Sequence, residues 1–447
     1  MFAQMYLAQR LRTADQRSRI EGGLAQPPWK ETVTASRDPH ESDSVRWASV
    51  LGLGLTSMTA DISTEMIAAV VPLYLLTRLD YSFARFGALD ASLQLSVVLL
   101  GLMGAILADR FRRHRALAGL GYGGSVVAKI GLALSAGSLP LMLLGDRVAK
   151  GVRTAPRDAL LADCSGPGHR GRVFGIHRSL DTAGALIGPV VAFALLSRRP
   201  GRYDMVWVAS AAIAVISVLI FMLLVEPPVN LPEDVLATRR ATPGIGELTR
   251  AALSPQLRRI WLVAFLAGTA MIGDSFVLLV LRQRFDISGS MFPLLLSGAS
   301  VAYLTLAFPI GALADRRNPN VVLLAGLMLL PLIYGVLLAH MGRAVTLVLV
   351  LVLVGSSTAA LDGVLVVVTT RVVGPEFRAG ALAVVAVGMA AGRWFGTASF
   401  GFVWSTRGRS TALVWAALLS ITAGLLACGL LFGRVLGQRH TSLDSVD

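Results

Sequence analysis

Apolar residues occur along the chain in long blocks that short polar segments separate. The twelve blocks span approximately residues 47–76, 84–107, 116–137, 139–156, 174–197, 204–225, 260–281, 291–313, 321–340, 344–366, 379–403 and 411–434. Each can form a helix that crosses about 30 Å of hydrocarbon at a rise of about 1.5 Å per residue. Only helices and closed barrels satisfy their backbone in lipid, and these blocks are too long for barrel strands. The pattern therefore predicts an all-α membrane protein with twelve transmembrane helices.

The blocks divide six and six around a polar, proline-containing stretch. We predict a disordered cytoplasmic tail at 1–45, a six-helix bundle at 46–226, a cytoplasmic linker at 227–259, a second six-helix bundle at 260–436 and a cytoplasmic tail at 437–447. Arginines are abundant in the linker and the amino-terminal tail, and basic loops remain on the cytoplasmic side of a membrane. This bias predicts a plasma (inner) membrane protein with both termini in the cytoplasm.

Composition agrees with this assignment and excludes several functions. The 447 residues are 54% hydrophobic with a net charge of +14, and the mean hydropathy is +0.66. The arginines form short clusters between apolar blocks and no continuous basic face, so we predict no nucleic-acid partner. Cys164 and Cys428 are too isolated for a disulfide framework or a zinc site. Without a P-loop, an H-E-x-x-H motif or a serine elbow, we predict no enzyme activity, no cofactor and no metal site.

The two halves share a repeated segment. Ala105-Ile-Leu-Ala-Asp109-Arg110 lies between the second and third blocks, and Gly311-Ala-Leu-Ala-Asp315-Arg316 lies between the eighth and ninth. The same motif at the same place in each half indicates an internal duplication. Two parallel six-helix repeats are a known transporter architecture.

Three motifs together resemble those of the major facilitator superfamily (MFS) of secondary transporters. The repeated segments resemble the loop signature G-x-L-A-D-R-x-G-R-R, although Ala105 and Arg112 replace its glycines. Arg147–Gly151 resembles the helix-four signature R-x-x-x-G, and Gly184–Pro189 resembles the helix-five signature G-x-x-x-G-P. The resemblance covers about residues 47–434 and implies two pseudo-symmetric six-helix bundles.

Two further segments resemble the corresponding segments of a poorly characterised bacterial branch of that superfamily. One is the acidic run Asp61-Ile-Ser-Thr-Glu65-Met in the first block, and the other is Lys150-Gly-Val-Arg-Thr-Ala-Pro-Arg-Asp158 in the fourth. The resemblance implies transport by alternating access, and the helix-five signature implies antiport. These marks indicate no particular substrate.

The duplicated aspartates predict a gate. We expect Asp109 and Asp315 to contact the amino termini of helix eleven and helix five in the opposite halves, where a carboxylate is stabilised by about 0.3–1 kcal/mol. Arg153 and Arg157 are expected at the cytoplasmic interface. The predicted gating residues are Asp109, Arg110, Arg113, Asp315, Arg316, Arg153, Gly184, Gly188 and Pro189. The alternatives are loop charges that only set topology, and glycines that only permit close helix packing.

The fourth block carries charges at membrane depth. Asp146, Lys150, Arg153 and Arg157 recur on one helical face, and Lys150 lies about 15 Å from the start of the helix. A charge at the bilayer centre costs about 2.5–3.5 kcal/mol on insertion scales. These side chains must therefore face water or partners inside the bundle.

Asp61 and Glu65, four residues apart on the first helix, are the expected partners of Arg147 and Lys150. When substrate or movement removes the cation, such a carboxylate can bind a proton. The predicted proton-coupling residues are Asp61, Glu65, Arg147, Lys150, Lys129, Asp274 and Arg393. The alternative is a fixed salt-bridge network that only holds helices together. We expect Asp90, Asp181 and Asp362 to be structural and near the membrane surface.

We therefore predict a monomeric secondary transporter that exports a small organic solute or drug in exchange for protons. The altered residues after the helix-five signature, Val191 and Ala192, leave uptake by symport or facilitated diffusion as an alternative. Metal-ion export and lipid flipping are further alternatives. The expected partners are a small-molecule substrate, protons and the lipid bilayer.

Overall fold

The computed structural model of this protein describes residues 45–111, 113–135, 138–165, 169–226, 254–374 and 377–443. These residues are almost entirely helical. The first half contains α1 (Trp47–Thr77), α2 (Phe83–Phe111), α3 (His114–Leu134), α4 (Leu139–Cys164), α5 (Arg170–Arg198) and α6 (Tyr203–Leu224). The second half contains α7 (Pro255–Ala270), α8 (Asp274–Phe285), α9 (Phe292–Arg316), α10 (Pro319–Leu338), α11 (Arg343–Thr358), α12 (Val364–Val372), α13 (Arg378–Arg407) and α14 (Arg409–Leu443). Most of the predicted amino-terminal tail and of the predicted linker lies outside the described residues, whereas α14 continues through the predicted carboxy-terminal tail as far as Leu443.

These helices form the twelve spans that the hydrophobic pattern predicts. Within the described ranges, eleven helical segments are long and apolar enough to cross a membrane. The remaining span is α4. Its 26 residues are long enough to cross a membrane, but its many charged residues lower its hydropathy below that of the other spans. It extends to Cys164 rather than ending near residue 156, because Pro156 and the charged residues after it are buried in the bundle.

The seventh span is broken, whereas the apolar pattern predicts one continuous helix. α7 ends at Ala270 and α8 begins at Asp274, with Met271, Ile272 and Gly273 in non-helical backbone between them. The break is enclosed by protein, where freed backbone groups can find partners. One partner is Tyr334, whose hydroxyl donates to the Ala270 carbonyl at 2.8 Å and accepts from the Ile272 N–H at 3.3 Å.

The tenth span is also irregular. α11 and α12 are joined by a π-helical turn at Ala359–Gly363, which contains Asp362. Single π turns inside α-helices are rare and often accompany functional sites.

The two halves meet along two helix pairs, α2 with α13 and α5 with α9. The rings of Phe83 and Trp404 stack with centroids 4.2 Å apart, and the Ala84 N–H donates to Ser405 Oγ at 3.0 Å. We call the end of the bundle that carries Phe83 and Trp404 the closed end. The Asp109 and Asp315 segments lie at the opposite ends of α2 and α9, so the duplicated motif and the closed end are on opposite sides of the bundle.

Candidate functional site

Asp61 on α1 is held by two cations from α4. Lys150 Nζ lies 3.2 Å from Asp61 Oδ1, and Arg153 Nη2 lies 3.7 Å from the same oxygen. The structure thus brings Asp61 to Lys150, as the helical spacing predicts. Arg147, the other expected cation, has no carboxylate within 4.0 Å among the described residues.

Arg153, which the sequence suggests at the cytoplasmic interface, is buried inside the bundle. Its side chain is only 2% exposed, and its guanidinium lies 4.8 Å from the centre of the Tyr122 ring on α3. Gly121 makes this possible, because a Cβ there would overlap the Arg153 side chain. Its predicted role in gating remains a prediction.

Arg157 is buried as well, against the same expectation. It pairs with Asp158 at 3.0 Å and with Asp181 at 3.6 Å, and Nη1 donates to Ser57 Oγ at 2.9 Å. His177 Nε2 contacts the same serine hydroxyl at 3.2 Å. This cluster joins α1, α4 and α5 and gives Asp181 an interior position.

Lys129 belongs to a separate buried pair. Its ammonium lies 3.2 Å from Asp146 Oδ1 and donates to Thr64 Oγ1 at 2.9 Å and to Ser125 Oγ at 3.0 Å. Ser125 in turn donates to Asp146. The pair joins α3, α4 and α1, and Lys129 is not among the residues that line the cavity described below. These contacts hold the three helices together. The predicted part of Lys129 in proton coupling stays a prediction.

We expect Lys129→Met to lower the stability of the protein strongly. The substitution leaves Asp146 buried and unpaired, and breaking a buried pair costs about 3–5 kcal/mol. Thermal unfolding of the purified protein measures this. Lys129→Met combined with Asp146→Leu removes both charges, so this double variant should recover part of the loss. If Lys129→Met unfolds at the wild-type temperature, the pair contributes nothing to stability.

A cavity of about 360 Å³ lies between the halves. Residues from α1, α2, α4, α8, α9 and α13 line it together with Gly273 from the break. Its ionisable lining residues are Glu65, Asp90, Arg147, Lys150, Asp274 and Arg393. Five of the seven predicted coupling residues thus line one cavity, namely Glu65, Arg147, Lys150, Asp274 and Arg393.

Most of these charges are not neutralised by a direct partner. Lys150 pairs with Asp61, which lies beside the cavity. Across the described part of the chain, the other five lining residues form no ion pair within 4.0 Å. Charged groups in a water-accessible cavity between helices mark substrate or ion pathways in membrane proteins.

Asp90 lines this cavity, although the sequence suggests a structural residue near the membrane surface. Its carboxylate packs on the break in the seventh span, where a Cβ built on Gly273 would lie 2.7 Å from Asp90 Oδ2. Arg393 contacts the other side of the break, with Nη2 3.2 Å from Met271 Sδ. The sequence signal for the break is Gly273-Asp274-Ser275 inside an apolar block, a combination that favours the start of a new helix.

The predicted gating residues of the two duplicated segments lie at the end opposite the closed end. The side chains of Asp109 and Arg110 lie outside the described residues, whereas Arg113, Asp315 and Arg316 are exposed. Among the described residues, Asp315 makes no hydrogen bond with the amino terminus of α5. The predicted latch at Asp315 is therefore not formed in this structure.

Gly184 and Gly188 bring α5 very close to α1. A Cβ on Gly188 would lie 2.7 Å from the Ile62 carbonyl oxygen and 2.8 Å from Glu65 Cβ, and one on Gly184 would overlap the Met58 carbonyl oxygen. Pro189 is inside α5. The helix-five motif thus packs directly behind Glu65.

Comparison with known proteins agrees with this architecture. The sequence profile of the Major Facilitator Superfamily matches residues 53–288. An uncharacterized MFS-type transporter of Methanocaldococcus jannaschii is 25% identical over 398 residues, which cover 87% of this chain and 96% of that protein. An uncharacterized protein of Mycobacterium tuberculosis is 30% identical over 159 residues, which cover 35% of this chain and 39% of that protein.

Solved transporters share the fold. A mutant of the nucleoside transporter NupG superposes with a TM-score of 0.71 at 16% identity, covering 85% of this chain and 99% of that one. A bacterial homolog to the human lysosomal transporter Spinster, inward-facing and unoccupied, superposes with a TM-score of 0.67 at 17% identity. The match covers 89% of this chain and 97% of that one. The family profile spans more than half of the chain, including all of α2 to α6 and the broken seventh span, so this chain belongs to the major facilitator superfamily and is a multi-pass membrane transporter of that type.

Proposed function

We propose that this protein is a secondary active transporter that works by alternating access and moves a small organic solute together with protons. Two homologous halves enclose one charged cavity, and their contacts at the closed end leave the duplicated Asp109 and Asp315 segments on the other side. Such an arrangement supports rocking of one half against the other around a fixed site.

The observation that carries the proposal is the position of Lys150. Its ammonium pairs with Asp61, yet 26% of its side chain is exposed and lines the cavity. An anionic group of the solute would compete with Asp61 for this ammonium. Asp61 would then keep only Arg153 beside it, at 3.7 Å, and a carboxylate that loses a neighbouring cation binds a proton more readily. Binding of the solute and binding of a proton would thus favour each other through one lysine, which supports symport rather than the exchange predicted from the helix-five signature.

Glu65 and Arg147 would complete the coupling group. Both line the cavity, and Glu65 packs against Gly188 on α5. A shift of α5 on α1 would move Glu65, so Gly184, Gly188 and Pro189 would transmit the motion of the gate to the coupling group. The duplicated Asp109, Arg110, Asp315 and Arg316, together with Arg113, would close the opposite end when the cavity faces outward.

We place the protein in the plasma (inner) membrane as a monomer with both termini in the cytoplasm. The arginine-rich linker and amino-terminal tail support this orientation. The closed end would then face outward, and the cavity would be accessible from the cytoplasm.

A thermal-shift screen followed by a flux assay tests the function. A compound that binds only the folded protein raises its apparent stability, so the screen finds ligands without knowledge of the substrate. Each stabilising compound is then loaded into proteoliposomes that contain a pH-sensitive dye. We expect efflux of the compound to raise the luminal pH, because protons leave with it, and an imposed acid-inside gradient to accelerate that efflux. Flux that leaves the luminal pH unchanged contradicts proton coupling, and acidification of the lumen during efflux indicates exchange with protons instead.

A further inference from the structure

The cavity divides into two charged regions that carry opposite net charge. One region surrounds the break in the seventh span, where the carboxylates of Asp90 and Asp274 and the guanidinium of Arg393 give a formal charge of −1. The other is formed by Glu65 on α1 with Arg147 and Lys150 on α4, and its formal charge is +1. We call them the break region and the α4 region.

The break region has acceptors that suit a protonated amine. Asp274 exposes its side chain to the cavity at the start of α8, and Asp90 Oδ2 lies at Gly273. Thr397 lines the same place; it is only 1% exposed, and its Oγ1 has no hydrogen-bond partner among the described residues. A buried hydroxyl without a partner is costly, which points to a ligand that supplies one. An ammonium carries three donors and can satisfy two carboxylates and one hydroxyl.

The α4 region has donors that suit a carboxylate. Arg147 has no acidic partner within 4.0 Å in the described part of the chain, and Lys150 is shared with Asp61. A guanidinium binds a carboxylate through two parallel hydrogen bonds. When Asp61 carries its proton, as the coupling proposed above requires, Glu65 leaves this region with the charge of one cation, which a single carboxylate neutralises.

The wall between these groups is apolar. Leu93, Leu143, Phe292 and Leu296 line the cavity beside the charged residues. The volume of about 360 Å³ is near the lower end of the 300–1,000 Å³ of ligand pockets. It suits a small solute with an apolar body.

We propose that the cavity binds zwitterionic organic solutes, with a protonated amine at Asp90, Asp274 and Thr397 and a carboxylate at Arg147 and Lys150. This assignment rests on the transport function proposed above and names its substrate class. The six lining charges sum to zero, so a cargo of zero net charge leaves no uncompensated charge in the membrane, where it would be costly. The solute would bridge the two halves and couple their movement, since its carboxylate and Asp90 hold it to the first half while Asp274 and Thr397 hold its amine to the second.

Binding to matched compounds tests the substrate class. The zwitterions are leucine, 6-aminohexanoate and leucyl-leucine; the acids are 4-methylpentanoate, hexanoate and N-acetyl-leucyl-leucine; and the amines are 3-methylbutylamine, hexylamine and leucyl-leucine amide. We expect at least one zwitterion to raise the Tm of the purified full-length protein, while its acid and its amine at the same concentration do not. The assignment is overturned if no zwitterion raises the Tm, or if an acid or an amine raises it as much as the zwitterion.

Two substitutions locate the ends of the ligand. Arg147→Gln and Asp274→Asn should each weaken the affinity for the stabilising zwitterion about tenfold or more, because each removes a hydrogen bond between charged groups. Asp204→Asn is the matched control, since Asp204 pairs with Arg202 at the exposed start of α6. If Asp274→Asn unfolds, Asp90→Asn tests the same region. Unchanged affinity in the folded variants refutes the assignment.

The two proposals fail separately. A zwitterion that binds but whose flux moves no protons refutes the proposed transport mechanism and leaves the binding assignment standing. Proton-coupled flux of a compound that lacks either the amine or the carboxylate refutes the assignment and leaves the transport function standing.

Discussion

Asp61→Asn should abolish proton-driven efflux while solute exchange across the membrane continues. The amide cannot take up a proton, so solute binding at Lys150 is no longer linked to protonation of its neighbour. Lys150 and Arg153 can still donate hydrogen bonds to the uncharged amide oxygen of the asparagine. The residues that line the cavity are unchanged, because Asp61 is not among them. The measurement compares two assays in proteoliposomes, efflux driven by a pH gradient and exchange of labelled for unlabelled solute without a gradient. Only the first should fall to background.

Two variants sharpen this test. Arg147→Ala should lose both assays, because Arg147 lines the cavity and would contact the solute itself. Asp204→Asn, at the exposed start of α6, should retain both. All variants must reach the membrane and keep a measurable unfolding transition. If Asp61→Asn and Arg147→Ala both transport at the wild-type rate under a pH gradient, the coupling mechanism is refuted.

Gly392→Ala should strongly lower the stability and yield of the protein. Gly388, Gly392 and Gly396 are spaced four residues apart on α13 and face α7. A Cβ on Gly392 would overlap the Phe265 carbonyl oxygen, and one on Gly396 would overlap that of Thr269. Both obstacles are backbone atoms, so a whole helix must move to accept the methyl group. Such overpacking costs about 1–3 kcal/mol, and occasionally more.

Gly335→Ala on α10 is the matched control. Gly335 is also a helical glycine, but a Cβ there would meet no atom within 4 Å. This substitution should be neutral or raise stability by up to about 1 kcal/mol, since alanine favours the helix. Tm and the fraction of monodisperse protein after purification measure both variants. Equal behaviour of the two variants would show that α7 and α13 are not packed through this glycine face.

The Gly392→Ala variant should also impair ligand binding. Arg393 and Thr397 follow Gly392 on α13, and both line the cavity. A displacement of α13 from α7 would move them away from the break at Gly273. Reduced stabilisation by ligand in variant protein that still folds would confirm that the glycine face positions the site.

The sequence alone determined the membrane class, the twelve spans and the duplication, because hydrophobic length and repeated motifs are properties of the linear chain. It also determined that α4 must turn its charged face inward, since several charges on one stripe cannot face lipid. The same reasoning made Asp61 and Glu65 the expected partners of Arg147 and Lys150, and of these pairings only that of Asp61 with Lys150 is present among the described residues.

The tertiary structure decided which partner each charge meets. The charged residues of α4 form three separate groups, because α3, α1 and α5 each pack against a different part of the helix. Asp146 pairs with Lys129 of α3, Lys150 and Arg153 with Asp61 of α1, and Arg157 with Asp181 of α5. The break at Gly273 likewise depends on Tyr334 from α10, which satisfies the freed backbone. Asp90 lines the cavity only because α2 packs beside that break. Helical periodicity defines the face of one helix, whereas the contacts of that face depend on the neighbouring helices, which are distant in the sequence.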